Sequence, residues 1–160
     1  MTETKKLTIL WHSPYNKGII AAFIMGEGTI TISSQGRGWY TPRITIVNTE
    51  KEIINLASFI LNKVGINYQF RYSFSPTQKG AKKIYRIDIK GIKSVLPLLL
   101  SLRSSFVGRK EHLSELVIEF CKSRLKNLKE HYSSREREII KQIRILNPRG
   151  RNIILKEECC

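Results

Sequence analysis

Hydrophobic and polar positions change their spacing several times along this chain of 160 residues. Over residues 14–26 (PYNKGIIAAFIMG) the apolar Ile19, Ile20, Phe23 and Ile24 recur at helical spacing behind Pro14, a residue suited to a first helical turn. Gly18, Ala21, Ala22 and Gly26 are interspersed, so this short helix is expected to be buried on more than one side. The period then drops to two. Residues 28–34 (GTITISS) alternate Thr29, Thr31 and Ser33 with Ile30 and Ile32, and after the turn QGRG residues 39–47 (WYTPRITIV) alternate again. A helix is predicted over 50–63, capped by Asn48 or Thr49, with Gly65 just past its end. The alternation returns at 68–75 (YQFRYSFS) and 83–90 (KIYRIDIK), separated by a loop from Pro76 to Lys82. Helical patterns finish the chain: 93–102 with Pro97 inside, about 108–130, and a last one to Leu146 that starts from Ser133 or Ser134 and stops before Pro148.

The order helix, hairpin, helix, hairpin, helices predicts an α+β fold. Its four-stranded antiparallel sheet turns isoleucines and aromatic rings to the helices and a polar face to water. No internal repeat and no long linker divides the sequence, so one domain over 1–160 is expected, with a core from about 10 to 130 and a C-terminal helix and tail over 131–160.

Charge sharpens this picture. The chain carries 28 Lys and Arg against 13 Asp and Glu, a formal net charge of +15, which calls for a polyanionic partner. Residues 101–160 hold 14 basic and 8 acidic residues, and acids and bases alternate there at helical spacing (Arg135, Glu136, Arg137, Glu138, Lys141), as on a solvated helix. Residues 1–100 hold 14 basic and only 5 acidic residues, and Asp88 is the sole aspartate of the chain. The polar face of the predicted sheet thus offers Thr31, Ser33, Gln35, Arg37, Arg43, Thr45, Gln69, Arg71, Ser73, Arg86 and Lys90, with Lys83 beside it and Asp88 as the one counter-charge. Such a set suits base edges and phosphates, because Arg forks onto guanine, Gln onto adenine, and Ser or Thr bonds either. An ordinary basic surface is the plainer alternative.

The remaining composition excludes more than it assigns. At 41% hydrophobic residues the chain is globular in character, and no apolar run approaches the roughly 18 to 20 residues of a membrane span. The N-terminal residues lack the apolar stretch of a secretory signal, so a soluble, intracellular protein is expected. Cys121, Cys159 and Cys160 form no ligand or disulfide pattern, and His12, His112 and His131 are too scattered for a metal cluster.

Residues 20–30 read IAAFIMGEGTI. This segment resembles the motif that names the LAGLIDADG homing endonucleases, and the αββαββα order extends the resemblance over about residues 10–130. Met25 stands where a second acid is common in the family, and Ala22 where glycine is usual. The resemblance implies a homodimer, because only one motif is present. Its interface would be Gly18, Ala21, Ala22, Met25 and Gly26, where the small Gly18, Ala21, Ala22 and Gly26 let two helices approach closely. The same small residues could instead pack the helix on its own sheet. It also implies that Glu27 and the Gly28 carbonyl hold Mg²⁺, with Mn²⁺ able to substitute and Ca²⁺ binding without cleavage. Thr49, with Asn48 beside it, aligns with a polar residue near the metal-bound water, and Lys110, with Arg109 beside it, with a basic residue that steadies transition-state charge. Read locally, Asn48 and Thr49 are also a helix cap, and Arg109 and Lys110 a surface pair.

The implied activity is site-specific double-strand cleavage of DNA at a long, near-palindromic target by a free-standing, intron-encoded enzyme. Two rivals remain at this stage: a protein of the same fold that binds RNA as a splicing maturase, or DNA as a regulator, without cutting; and a basic protein of ribosomal type.

Overall fold

In the computed structural model, residues 9, 11–74, 82–127 and 131–147 are described. Helix α1 (Pro14–Gly26) starts where the Ser13 side chain accepts the Tyr15 N–H at 3.1 Å and Pro14 fills a position whose N–H would have no partner. A hairpin follows, β1 (Gly28–Gly36) and β2 (Trp39–Asn48), then α2 (Lys51–Lys63) and a second pair of strands, β3 (Gln69–Phe74) and β4 (Lys83–Lys90). Helices α3 (Ile92–Leu102), α4 (Gly108–Lys126) and α5 (Ser134–Leu146) complete the order. The four strands form one antiparallel sheet in the order β1-β2-β4-β3, so the two hairpins meet through β2 and β4. Thr45 thereby lies opposite Thr29 on one side and Asp88 on the other.

The isoleucine code of the strands is read as the alternation predicts. Ile30, Ile32, Ile44, Ile46, Ile87 and Ile89 are buried against Ile20 and Ile24 of α1, Ile54 and Ile60 of α2, and Leu98 of α3. Each such side chain contributes about 1.5–3 kcal/mol on leaving water. Helices α4 and α5 pack on β1 and on each other. Ser133 and Glu136 form a reciprocal capping box at the start of α5, and Glu136 also accepts from Ser123 at 2.8 Å and faces the buried Arg124.

Three expectations need correction. Asn48 and Thr49 do not cap α2: Glu50 holds that position without a side-chain bond, because Asn48 is still paired in β2 opposite Tyr85 and its Oδ1 accepts the Glu50 N–H at 2.8 Å. The aromatic rings of β3 are not covered by helices. Phe70, Tyr72 and Phe74 share the face of their partners Ile87, Tyr85 and Lys83, yet are 43%, 59% and 64% exposed, because β3 is the edge strand and helices pack on β1, β2 and β4. The polar face is not wholly wet, since Thr45 and Asp88 are buried in it. Helix α1 buries Ile20, Ala21 and Ile24 fully and packs Ile19, Phe23 and Met25 partly on the core, which leaves a stripe of Gly18, Ala22 and Gly26 exposed. The Pro76–Lys82 loop up to residue 81, the predicted extension of α4 over 128–130, and the tail with Cys159 and Cys160 lie outside the described residues. Among the described residues no helix is long and apolar enough to cross a membrane.

Candidate functional site

The junction of α1 and β1 is built by packing. Glu27 closes α1, its N–H bonded to the Phe23 carbonyl at 2.9 Å, and its side chain is exposed with no ion pair among the described residues. Gly28 then starts β1 with its Cα pressed on the helix it has just left: a Cβ there would stand 2.6 Å from the Ile24 Cα and 2.7 Å from the Ile24 carbonyl oxygen. Only glycine fits. Lys110, in the first turn of α4, donates its Nζ to the Gly28 carbonyl. Burial pushes the Lys110 ammonium below its usual pKa, and the neighbouring Arg109 charge adds to that. One exposed carboxylate, one strand-end carbonyl and one half-buried ammonium therefore meet at this junction.

Strand register brings two more of the expected residues to the same end of the sheet. Gly28 pairs with Ile46, so Asn48 and Thr49 continue β2 past the level of Glu27. Thr49 is exposed and Asn48 half-buried. Arg109 is exposed, and of the two basic neighbours it is Lys110 that reaches Gly28. Among the described residues no three His, Cys, Asp or Glu side chains converge in a way that could hold a metal.

Along α1 the expected interface residues divide. Ala21 is 4% exposed and belongs to the core, whereas Gly18, Ala22 and Gly26 lie open on the opposite side, with Met25 half-buried. A Cβ added at Gly18 or Gly26 would meet nothing within 4 Å. Tyr15, 75% exposed and three residues before Gly18, extends this open stripe; its spacing in the sequence was the signal for it.

The polar face is dominated by cations around one acid. Asp88 Oδ1 accepts from Arg43 Nε at 3.0 Å and Nη2 at 2.6 Å, from Thr45 Oγ1 at 2.8 Å and from Arg86 Nε at 3.1 Å. Burial alone would raise the Asp88 carboxyl pKa, but the hydrogen bonds from Arg43 and Thr45 and the charges of Arg43 and Arg86 outweigh it and leave it below the ordinary carboxylate range. Beside it, Gln69 Oε1 accepts from Arg71 at 3.0 Å and Lys90 at 3.4 Å. Gln35 donates to Ser33 at 3.1 Å, Arg37 stands exposed in the hairpin turn at φ +49°, Ser73 is exposed, and Thr31 is half-buried. Three of the expected contact residues, Asp88, Thr45 and Lys83, do not project from this face. Asp88, 1% exposed, and Thr45, 5% exposed, lie beneath it. Lys83 belongs to the other face, its Nζ 3.9 Å from the Tyr72 ring centre, because the core-side alternation runs 83, 85, 87, 89. The same alternation puts Trp39, 56% exposed, and Thr41 in line with Arg43, and neither was singled out from the sequence.

A family model described as a LAGLIDADG-like domain matches residues 14–101. A search of curated proteins gives no match. Among solved structures, the chain is similar to the homing endonuclease I-CvuI in complex with an I-CreI target, at 17% identity and a TM-score of 0.62 over 90% of each chain. It is also similar to the homing endonuclease I-TnaI, at 14% identity and a TM-score of 0.61 over 84% of this chain and 89% of that one. The LAGLIDADG meganuclease I-AabMI bound to uncleaved DNA gives 20% identity and a TM-score of 0.55, with 81% of this chain and 42% of that one covered. With the motif helix, the sheet order and more than half of the sequence matched, this chain belongs to the LAGLIDADG family.

Proposed function

We propose that this chain is a site-specific DNA endonuclease, intron-encoded, that acts as a homodimer through the open stripe of α1. The observation that carries this reading is the junction where Glu27, the Gly28 carbonyl and Lys110 meet at the end of a helix whose Gly18, Ala22 and Gly26 are uncovered. Two copies of α1 crossing on that stripe bring two Glu27 carboxylates together, and two polar sheets then line one DNA duplex.

The junction suits a hard divalent ion such as Mg²⁺. Its donors are oxygens, one ionisable and exposed, and the Gly28 carbonyl already faces a cation in the Lys110 ammonium. Glu27 and the Gly28 carbonyl would hold the ion, which would supply an activated water and stabilise the leaving oxygen. Mn²⁺ would substitute, and Ca²⁺ would support binding without cleavage; the I-CvuI complexes were obtained with Mg in one case, its DNA not cleaved, and with Ca in another. The chain's own contribution is positional. Gly28, wedged on Ile24, fixes the direction of Glu27, Lys110 places positive charge where a phosphate would gain it, and Asn48 or Thr49 offers a polar group to water at the same end. Arg43, Arg71, Arg86, Lys90 and Gln69 read bases and hold phosphates.

The test uses a duplex selected by binding from a randomised library and inserted into a supercoiled plasmid. The parent should linearise it with Mg²⁺ and bind it with Ca²⁺, while Glu27→Gln should bind it equally and leave it intact. A parent that binds the duplex and never nicks it would instead favour the non-cleaving DNA regulator; selective retention of structured RNA over duplex DNA would favour the maturase.

A further inference from the structure

The Asp88 carboxylate is more than a counter-charge to a basic sheet. Among the described residues every donor that reaches it converges on Oδ1, while Oδ2 is buried without a hydrogen-bond partner. The side chain of Asp88 is 0% exposed, those of Arg43 and Arg86 are 20% and 44% exposed, and the two arginines come from different strands, β2 and β4. An arginine has five N–H donors in a rigid plane. Arg86 gives Asp88 only its Nε, at 3.1 Å, which leaves its whole outer Nη edge without a partner among the described residues. That edge is the pair of parallel donors that matches guanine O6 and N7. Arg43, holding with Nε and Nη2, keeps Nη1 for a neighbour.

We propose that Asp88 is a positioning residue which locks the Arg43 and Arg86 guanidiniums into one orientation for base reading, an inference that rests on the DNA-recognition reading above. A tethered guanidinium has already lost the side-chain freedom that binding would otherwise remove, and it cannot swing to whichever phosphate is nearest. The carboxylate thus exchanges general affinity for discrimination.

The experiment measures binding to the library-selected duplex and to a scrambled duplex of the same length, across a salt series, for the parent, Asp88→Asn and Arg86→Lys. Asp88→Asn should bind the scrambled duplex more tightly, with a salt slope steeper by about 1 to 2, while its preference for the selected duplex drops roughly 10- to 100-fold. Arg86→Lys, which keeps the charge and an intact Asp88–Arg43 pair, should hold the parental salt slope and lose preference by a similar factor. A parent that selects no sequence from the library overturns the DNA reading, and this proposal with it. A parent that selects one, with either a folded Asp88→Asn protein or Arg86→Lys discriminating as well as the parent, overturns the proposal alone.

Discussion

Lys110 donates its ammonium to the carbonyl of Gly28, a residue 82 positions earlier in the chain. This bond ties the first turn of α4 to the start of β1 and fixes a positive charge beside Glu27 without neutralising it. Under the proposed activity, Lys110→Met should lower the single-turnover cleavage rate by about 10²–10³-fold, the usual cost of removing one preorganised donor at developing charge. Binding of the selected duplex in Ca²⁺ should be retained. A matched loss of binding and cleavage would reduce Lys110 to a structural tie.

The uncovered side of α1 gives a second expectation. Because a side chain at Gly18 meets nothing in its own chain, Gly18→Leu should fold as well as the parent, and replacing a mid-helix glycine should even add up to about 1 kcal/mol to the monomer. The bulky side chain should nevertheless hold two helices apart. Sedimentation velocity at micromolar concentration should show a dimer for the parent and a monomer for the variant; a dimer in both would place the subunit contact elsewhere.

Asp88 supplies a pH dependence with a definite sign. Its folded carboxyl titrates below the ordinary value of about 3.9, so its contribution to stability is complete above that value and is lost as pH falls through the lower folded one. Urea denaturation should therefore find the parent more stable than Asp88→Asn at neutral pH, with the gap closing as pH falls below about 4. A gap that does not change with pH would mean that the carboxylate's charge is not what holds Arg43 and Arg86.

How far the sequence alone reaches can be judged from these same residues. Period-two alternation located all four strands and the cationic face, because β1, β2 and β4 are pinned by isoleucines at every second position and β3 alternates aromatic with polar residues in the same way. The segment around Glu27 stood out through its resemblance to the family motif, not through periodicity, and the family match over residues 14–101 includes it. What the periodicity could not show was depth. Asp88 and Thr45 have the parity of surface residues, yet four donors close over one oxygen and bury them, a result of register between β2 and β4 that no single strand encodes. Parity alone also marks Phe70, Tyr72 and Phe74 as core, and only their place on the edge strand leaves them open. Ala21 and Ala22 look interchangeable as letters, but a 100° step around the helix puts one in the core and the other outside.

If the sheet reads DNA as proposed, the Arg43–Asp88–Arg86 cluster bears on how such a surface is retargeted. Gln69, Arg71 and Ser73 project from an edge strand that carries no buried side chain, so each can be exchanged singly with little effect on the fold. The cluster cannot change that way. Losing the acid frees two cations, and losing either cation strips a buried anion of part of its compensation, so a new preference at those base pairs needs coordinated replacement of three residues on two strands. A lineage following a drifting DNA sequence would accumulate changes at the β3 rim first, and the base pairs beneath the cluster would be the slowest part of its target to be relearned.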